Sequence, residues 1–195
     1  MHNTIKGLIE AAAKYDVRYY LNGICVERLN GEVRLIATDG HMLSMVKLSE
    51  NHSLSKQLTE DGQWIVSSSS VKEALKICHK KSTNITFEDG KFFLVSTFVR
   101  AELELIDGTF PDWRRVIKEE KIPTSFFYLS DTINKRVAQV ANLLNGTTGN
   151  ACKYEMFGDN QTVKVTIMVP EVAVTEAFVV AMTCRWAEDT EKKVA

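Results

Sequence analysis

The feature that most restricts the fold of this chain is repetition: one succession of helix and strands runs through the hydrophobic pattern three times. In the first block Asn3 can cap a helix whose Ile5, Leu8, Ile9 and Ala12 share a face. An extended run over residues 17–28 turns at Asn30-Gly31, a strong hairpin signal, into a strand at 33–38. Asp39-Gly40 then leads into a strand at 42–48. In the second block a strand at 64–67 precedes a helix opened by the capping box Ser70-Val-Lys-Glu73, with Val71, Ala74, Leu75 and Cys78 turned inward. Strands at 84–88 and 91–96 pair through Asp89-Gly90, and 99–106 adds another. The third block opens at 125–129. Its helix starts near Ser130 or Asp131 and buries Ile133, Val137, Val140, Ala141 and Leu144, and strands follow at 152–157, 162–169 and 174–182.

Three β-α-β-β-β units, the first lacking its opening strand, make this an α+β chain of antiparallel hairpins with helices on one face. The tail AEDTEKKVA has no apolar period and is expected to fray.

The outward faces of the helices carry the second signal. Lys6 and Lys14 lie two turns apart on the first helix, with Glu10 between them. Lys72, Lys76, His79 and Lys80 form one stripe on the second, and Lys135, Gln139 and Asn142 line up on the third beside Arg136. The chain of 195 residues has a net charge of −1, which excludes a uniformly basic nucleic-acid binder but not one that gathers its lysines on one side. Lysines on helices neutralise phosphates without reading bases. No helix-turn-helix, zinc finger or aromatic RNA platform is present.

The four cysteines are far apart, with no CxxC and no zinc-ligand spacing, so neither a metal nor a cofactor is expected. The opening MHNTIKGLIEAAAKYD is too polar for a signal peptide or membrane span, and the expected location is the cytoplasm. Asp39 and His41 are the sole hint of an orienter and base, but Gly40 places a turn between them. GxSxG, Walker, HExxH and GxGxxG motifs are all missing. The residues favour a protein that holds something over an enzyme.

Three motifs, RYYLNG, ATDGH-x-L and DGTFPDWRRV, resemble in order and separation the second domain of the bacterial DNA polymerase III β subunit, the sliding-clamp family, across residues 1–117. The stretch SFFYLSDTINKRVAQVANLL through AFVVAM resembles the second half of the clamp's third domain. Residues 1–117 then form a clamp domain of two units, 118–186 a single unit and 187–195 a flexible tail. The resemblance implies helices lining a hole for double-stranded DNA, sheets outside, and a non-catalytic role in polymerase processivity. It implies DNA contact by the helix lysines and Arg136, and by Arg18, Tyr19 and Tyr20 of the first motif.

It further implies a hydrophobic groove that accepts short linear peptides from polymerases and the clamp loader. Carried onto this sequence, one wall is Leu21, Thr38, Gly40, His41, Met42 and Leu43. Pro111, Arg115 and Val116 come from the FPDWRRV segment, and Val179, Val180 and Met182 from the last strand. Met42 stands where the family usually has Arg, and AMTCRWAED replaces the usual Met-Pro-Met-Arg-Leu ending. Twelve units make a family ring, roughly 120 Å around inside at about 10 Å per helix. Three units per chain therefore point to a homo-oligomer, most simply a tetramer whose third units meet isologously. The rival readings are a non-encircling competitor or accessory protein that binds clamp-motif peptides, and an unrelated α+β enzyme.

Overall fold

The computed structural model describes residues 1–78, 82–117, 127–146, 152–157 and 162–184. Helix α1 (His2–Ala11) leads into a 3-10 turn at Tyr19–Leu21 and then strands β1 (Gly23–Leu29), β2 (Glu32–Thr38) and β3 (Met42–Leu48). A short helix α2 (Ser53–Gln57) connects to β4 (Gly62–Ser67), α3 (Ser68–Ile77), β5 (Asn84–Glu88), β6 (Lys91–Ser96), β7 (Val99–Leu103) and β8 (Leu105–Ile106). A second 3-10 turn, Trp113–Val116, precedes α4 (Asp131–Asn145), β9 (Cys152–Phe157), β10 (Thr162–Ile167) and β11 (Val174–Met182).

Two sheets result. Eight strands run in the order β8-β4-β1-β2-β3-β11-β10-β9, and three in the order β5-β6-β7. The joint between the first and third blocks is antiparallel, with Phe178 opposite Met45 and Val180 opposite Leu43. A division at residue 117 therefore separates the blocks in sequence but not in space. One core, including Ile5 and Leu8 of α1, Val71 of α3 and Val140 and Leu144 of α4, fills the helix side of the sheets. A smaller cluster, with Leu21, Ile36, Leu43, Phe110, Trp113 and Phe178, lies apart from it. This is an α+β architecture of antiparallel sheets with helices on one side.

Several local expectations are corrected. Residues 17–22 are not strand: Tyr19–Leu21 is a 3-10 turn, held by Asn22, whose side chain accepts from Asp16 N–H and donates to Asp16 O, both at 2.9 Å. Met1, not Asn3, precedes α1, and α3 is capped by Ser67 rather than Ser70. The run 99–106 breaks at Glu104, sending β7 to one sheet and β8 to the other. Glu104 is pinned there, its C=O accepting from Ser67 N–H at 2.8 Å and its N–H donating to Ser70 Oγ at 3.2 Å. Residues 127–129 form no strand, although Tyr128 O accepts from Cys184 N–H at 2.9 Å. On α4 the Ser130 cap and the buried Val137, Val140, Ala141 and Leu144 are as the pattern indicates, with Ile133 half-buried.

Candidate functional site

The Asp-Gly-His segment is a turn built from its own side chains. Asp39 Oδ1 accepts from the N–H of His41 and of Met42, both at 2.9 Å, and Asp39 Oδ2 meets the Arg136 guanidinium of α4. Thr38 Oγ1 accepts from Gly40 N–H at 3.0 Å and donates to Met42 O at 2.8 Å. Gly40 has φ +89°, and a Cβ there would lie 3.0 Å from the Arg18 guanidinium. Burial pushes the Asp39 carboxyl up, but Arg136 and the two backbone donors outweigh it and hold it below the usual carboxylate range. Both oxygens are thus engaged in fixing the loop, an arrangement unlike an orienter for the His41 ring.

Beside this turn, on the side of the small cluster, opens a cavity of about 380 Å³. Its apolar lining includes Leu21, Met42, Leu43, Pro111, Val116, Val180 and Met182, with Thr38, Gly40, His41 and Arg115 among the more polar positions. Three distant segments meet here because β11 pairs with β3 and because residues 110–116 cross the sheet. The crossing is anchored by Glu27, 3% exposed, which receives Arg114 Nη1 at 3.0 Å and Nη2 at 2.5 Å. Gln63 Nε2 at 3.0 Å and Trp113 Nε1 at 3.4 Å also donate to it. Burial raises the Glu27 carboxyl, but the bonds from Arg114 and Gln63 more than offset this and leave it lowered. Thr162 Oγ1, donating to Val116 O at 3.4 Å, ties the far end of the segment to β10.

Of the expected groove residues, Val179 alone is not brought in. Strand alternation sends Phe178 and Val180 to the groove side and Val179 into the helix-side core. Arg18 and Tyr20, expected at DNA, line the cavity, as do Phe110, Asp112, Trp113 and Thr162, which sequence reading missed. Phe110, Asp112 and Trp113 lay within the FPDWRRV motif itself; nothing in the sequence marked Thr162. Arg18 is held by Asp16 through Nε at 3.0 Å and Nη2 at 2.7 Å, and this bond draws the Asp16 carboxyl down to about 2.

The helix faces are less uniformly basic than the sequence indicates. Lys135 is exposed on α4, and Lys6 and Lys72 are half-exposed on α1 and α3. Lys14 pairs with Glu10 at 3.5 Å and Lys76 with Glu73 at 2.6 Å. Arg136 is turned from solvent toward Asp39 and donates to Glu10 O at 3.2 Å, so it acts as a strut rather than a presented cation. Tyr19 is exposed and meets Tyr20 edge-on at 5.8 Å. Lys80 lies outside the described residues. Among those residues no helix is long and apolar enough to cross a membrane, and no cluster of three or more His, Cys, Asp or Glu is placed to hold a metal.

Helices on one side of paired antiparallel sheets, with a peptide-sized apolar groove away from them, define the class as a clamp-type α+β protein. Residues 1–112 match the family described as DNA polymerase III beta subunit, central domain, and the chain belongs to the DNA polymerase III beta subunit family. It is 30% identical over 190 residues to the beta sliding clamp of Proteus mirabilis, covering 90% of this chain and 47% of that one. To the beta sliding clamp of Escherichia coli K12 it is 35% identical over 127 residues, 58% of this chain and 31% of that one. The chain thus spans less than half the length of these curated relatives. Among solved structures, the sliding clamp of Pseudomonas aeruginosa superposes with a TM-score of 0.64 at 20% identity, over 95% of this chain and 65% of that one. A Helicobacter pylori beta clamp in complex with carprofen gives 0.67 at 13% identity, over 95% and 64%. At these identities the likeness establishes the fold.

Proposed function

We propose that this chain is a short sliding clamp, a non-catalytic processivity factor of the cytoplasm. Several copies close around duplex DNA and hold a polymerase or clamp loader by a peptide laid in the groove. The observation that carries this reading is the meeting of Leu21, the 38–43 turn, residues 110–116 and β11 in one apolar cavity, on a molecule whose lysine-bearing helices lie on another side. A cavity of about 380 Å³ with apolar walls and a few polar groups suits a short linear motif. Lys6, Lys14, Lys72, Lys76 and Lys135 supply sequence-independent phosphate contact, with Tyr19 and Arg18 at the rim. Lys80 belongs to the same proposed set, while Tyr20 lines the groove.

Three helix-bearing units per chain enclose nothing alone, and four chains supply twelve. A tetrameric ring with isologous joints follows from that count. The decisive test is retention of the protein on nicked circular DNA against the same DNA linearised. A ring stays on the circle and slides off the cut molecule; equal retention on both overturns the tether. A second reading is supported by the completeness of the groove within one chain: a non-encircling accessory protein that competes for clamp-motif peptides. Peptide binding without retention on circles would favour it.

A further inference from the structure

We propose that strand β7 is a self-pairing edge through which two copies of this chain join their three-stranded sheets into one six-stranded sheet. The first and third blocks are already joined by their last strands, β3 and β11, running antiparallel. The last strand of the second block, β7, ends its sheet in the order β5-β6-β7.

The backbone parity of that edge is fixed by the turn before it. Ser96 and Val99 close a two-residue connection, so their pair is hydrogen-bonded, and Val99, Ala101 and Leu103 direct their N–H and C=O toward β6. Arg100 and Glu102 therefore aim theirs outward. In an antiparallel pairing of β7 with its copy about Ala101, Arg100 of one chain lies opposite Glu102 of the other, twice. Those are the two positions where hydrogen-bonded pairs fall, so backbone and side-chain registers coincide.

The side chains are self-complementary in the same register. Arg100 and Glu102 are about half exposed, at 52% and 54% of the side chain, and lie on the face away from the helices. Read along two antiparallel copies, plus meets minus at both positions; an edge blunted with lysines would oppose like charges there. On the other face Val99 and Leu103 extend the helix-side core, Leu103 being buried and Val99 packed against it. Phe98, 94% exposed at the tip of the β6–β7 turn, comes in this register opposite Glu104 of the copy, just past the end of its β7. The dyad passes through the Ala101 pair, perpendicular to the sheet, and keeps both sets of helices on one side. A second isologous joint at the third block then closes an even-numbered ring, but the β7 joint does not depend on DNA or peptide binding.

The test is charge exchange on the full chain, read as mass by light scattering and sedimentation at micromolar concentration. Arg100→Glu and Glu102→Arg each set like charges opposite one another, and each is expected to halve the mass of the wild-type assembly. The two variants mixed in equal amounts, and the double exchange R100E/E102R, are expected to restore it. Far-ultraviolet circular dichroism reports on folding, because Arg100 also pairs with Glu88 and Glu102 with Lys91 within the chain. A monomeric wild type, single variants of unchanged mass, or single variants that lose mass without recovery on mixing would each overturn the joint. Failure of retention on circular DNA with charge exchange intact would instead remove the tether and leave the β7 joint standing.

Discussion

Glu27 does not line the groove, yet it decides where one wall stands. It clamps Arg114, and the 3-10 turn of Trp113–Val116 then places Arg115 and Val116 at the cavity. Glu27→Gln should lose roughly 1.5–3 kcal/mol, the worth of charge-assisted bonds, and weaken peptide binding without touching the peptide. Because the folded carboxyl is held below its ordinary value of 4.5, its stabilisation is complete only well above that ordinary value and disappears as pH falls through the lowered folded value. The wild-type advantage over Glu27→Gln in chemical denaturation should therefore be constant at neutral pH and shrink in acid. A constant gap down to the acid limit would rule out that linkage. Direct truncation of the walls, Leu43→Ala with Val116→Ala, should weaken peptide titrations, with up to roughly 1.5–3 kcal/mol at buried Leu43 and less at the partly exposed Val116. The motif residues Pro111 and Arg115 were legible because the segment is short and distinctive. The strut role of Arg136 was not, because its partner Asp39 lies 97 residues away. Nor was the orientation of Val179: a run of apolar residues hides the alternation that places it in the core.

Among elements, those whose boundaries were plain from the sequence are the ones fixed by local chemistry. Asn30 and Asp89 take positive φ beside Gly31 and Gly90, and β5 and β6 have the bounds the turn signals imply. Elements that departed are those decided by side-chain bonds that the hydrophobic pattern does not show. The 99–106 run reads as one strand, but Ser67 and Ser70 capture Glu104 and split it between sheets. The RYYLNG segment reads as extended, but Asn22 and Asp16 close it into a turn. The lysine stripe of α3 was visible as a stripe, while the pairing of Lys76 with Glu73 was visible only in three dimensions. This exposed i, i+3 pair contributes at most a few tenths of a kcal/mol, so phosphate displaces it readily. Reversing Lys72 and Lys76 to Glu should thus shorten residence on circular DNA and reduce its salt dependence, with peptide affinity unchanged. Residence unaffected by the reversal would mark the stripe as ordinary solvated surface.

At the scale of the whole molecule, groove and helix layer are two sides of one joint. The pairing of β3 with β11 brings Val180 to the groove, and the packing of α1 on α4 beneath it brings Arg136 to Asp39 and holds the groove loop. That packing is close at Gly7, where an added Cβ would lie 3.0 Å from the Leu144 side chain and 3.5 Å from Val140 O. A larger residue at Gly7 must push α4 outward or force Leu144, 2% exposed, from its seat. Gly7→Val should then lose about 1–3 kcal/mol to overpacking. It also displaces Arg136 from Asp39, so peptide affinity should fall although Gly7 is buried on the helix side. DNA residence should fall with it, because the same shift misaligns Lys135 on α4 with Lys6 on α1. The outcome to measure is the correlation: peptide titration and retention on circles, each compared with wild type at a temperature where the variant is fully folded. Loss of stability with both functions intact would mean that the joint bears load for folding alone and that the two faces work independently.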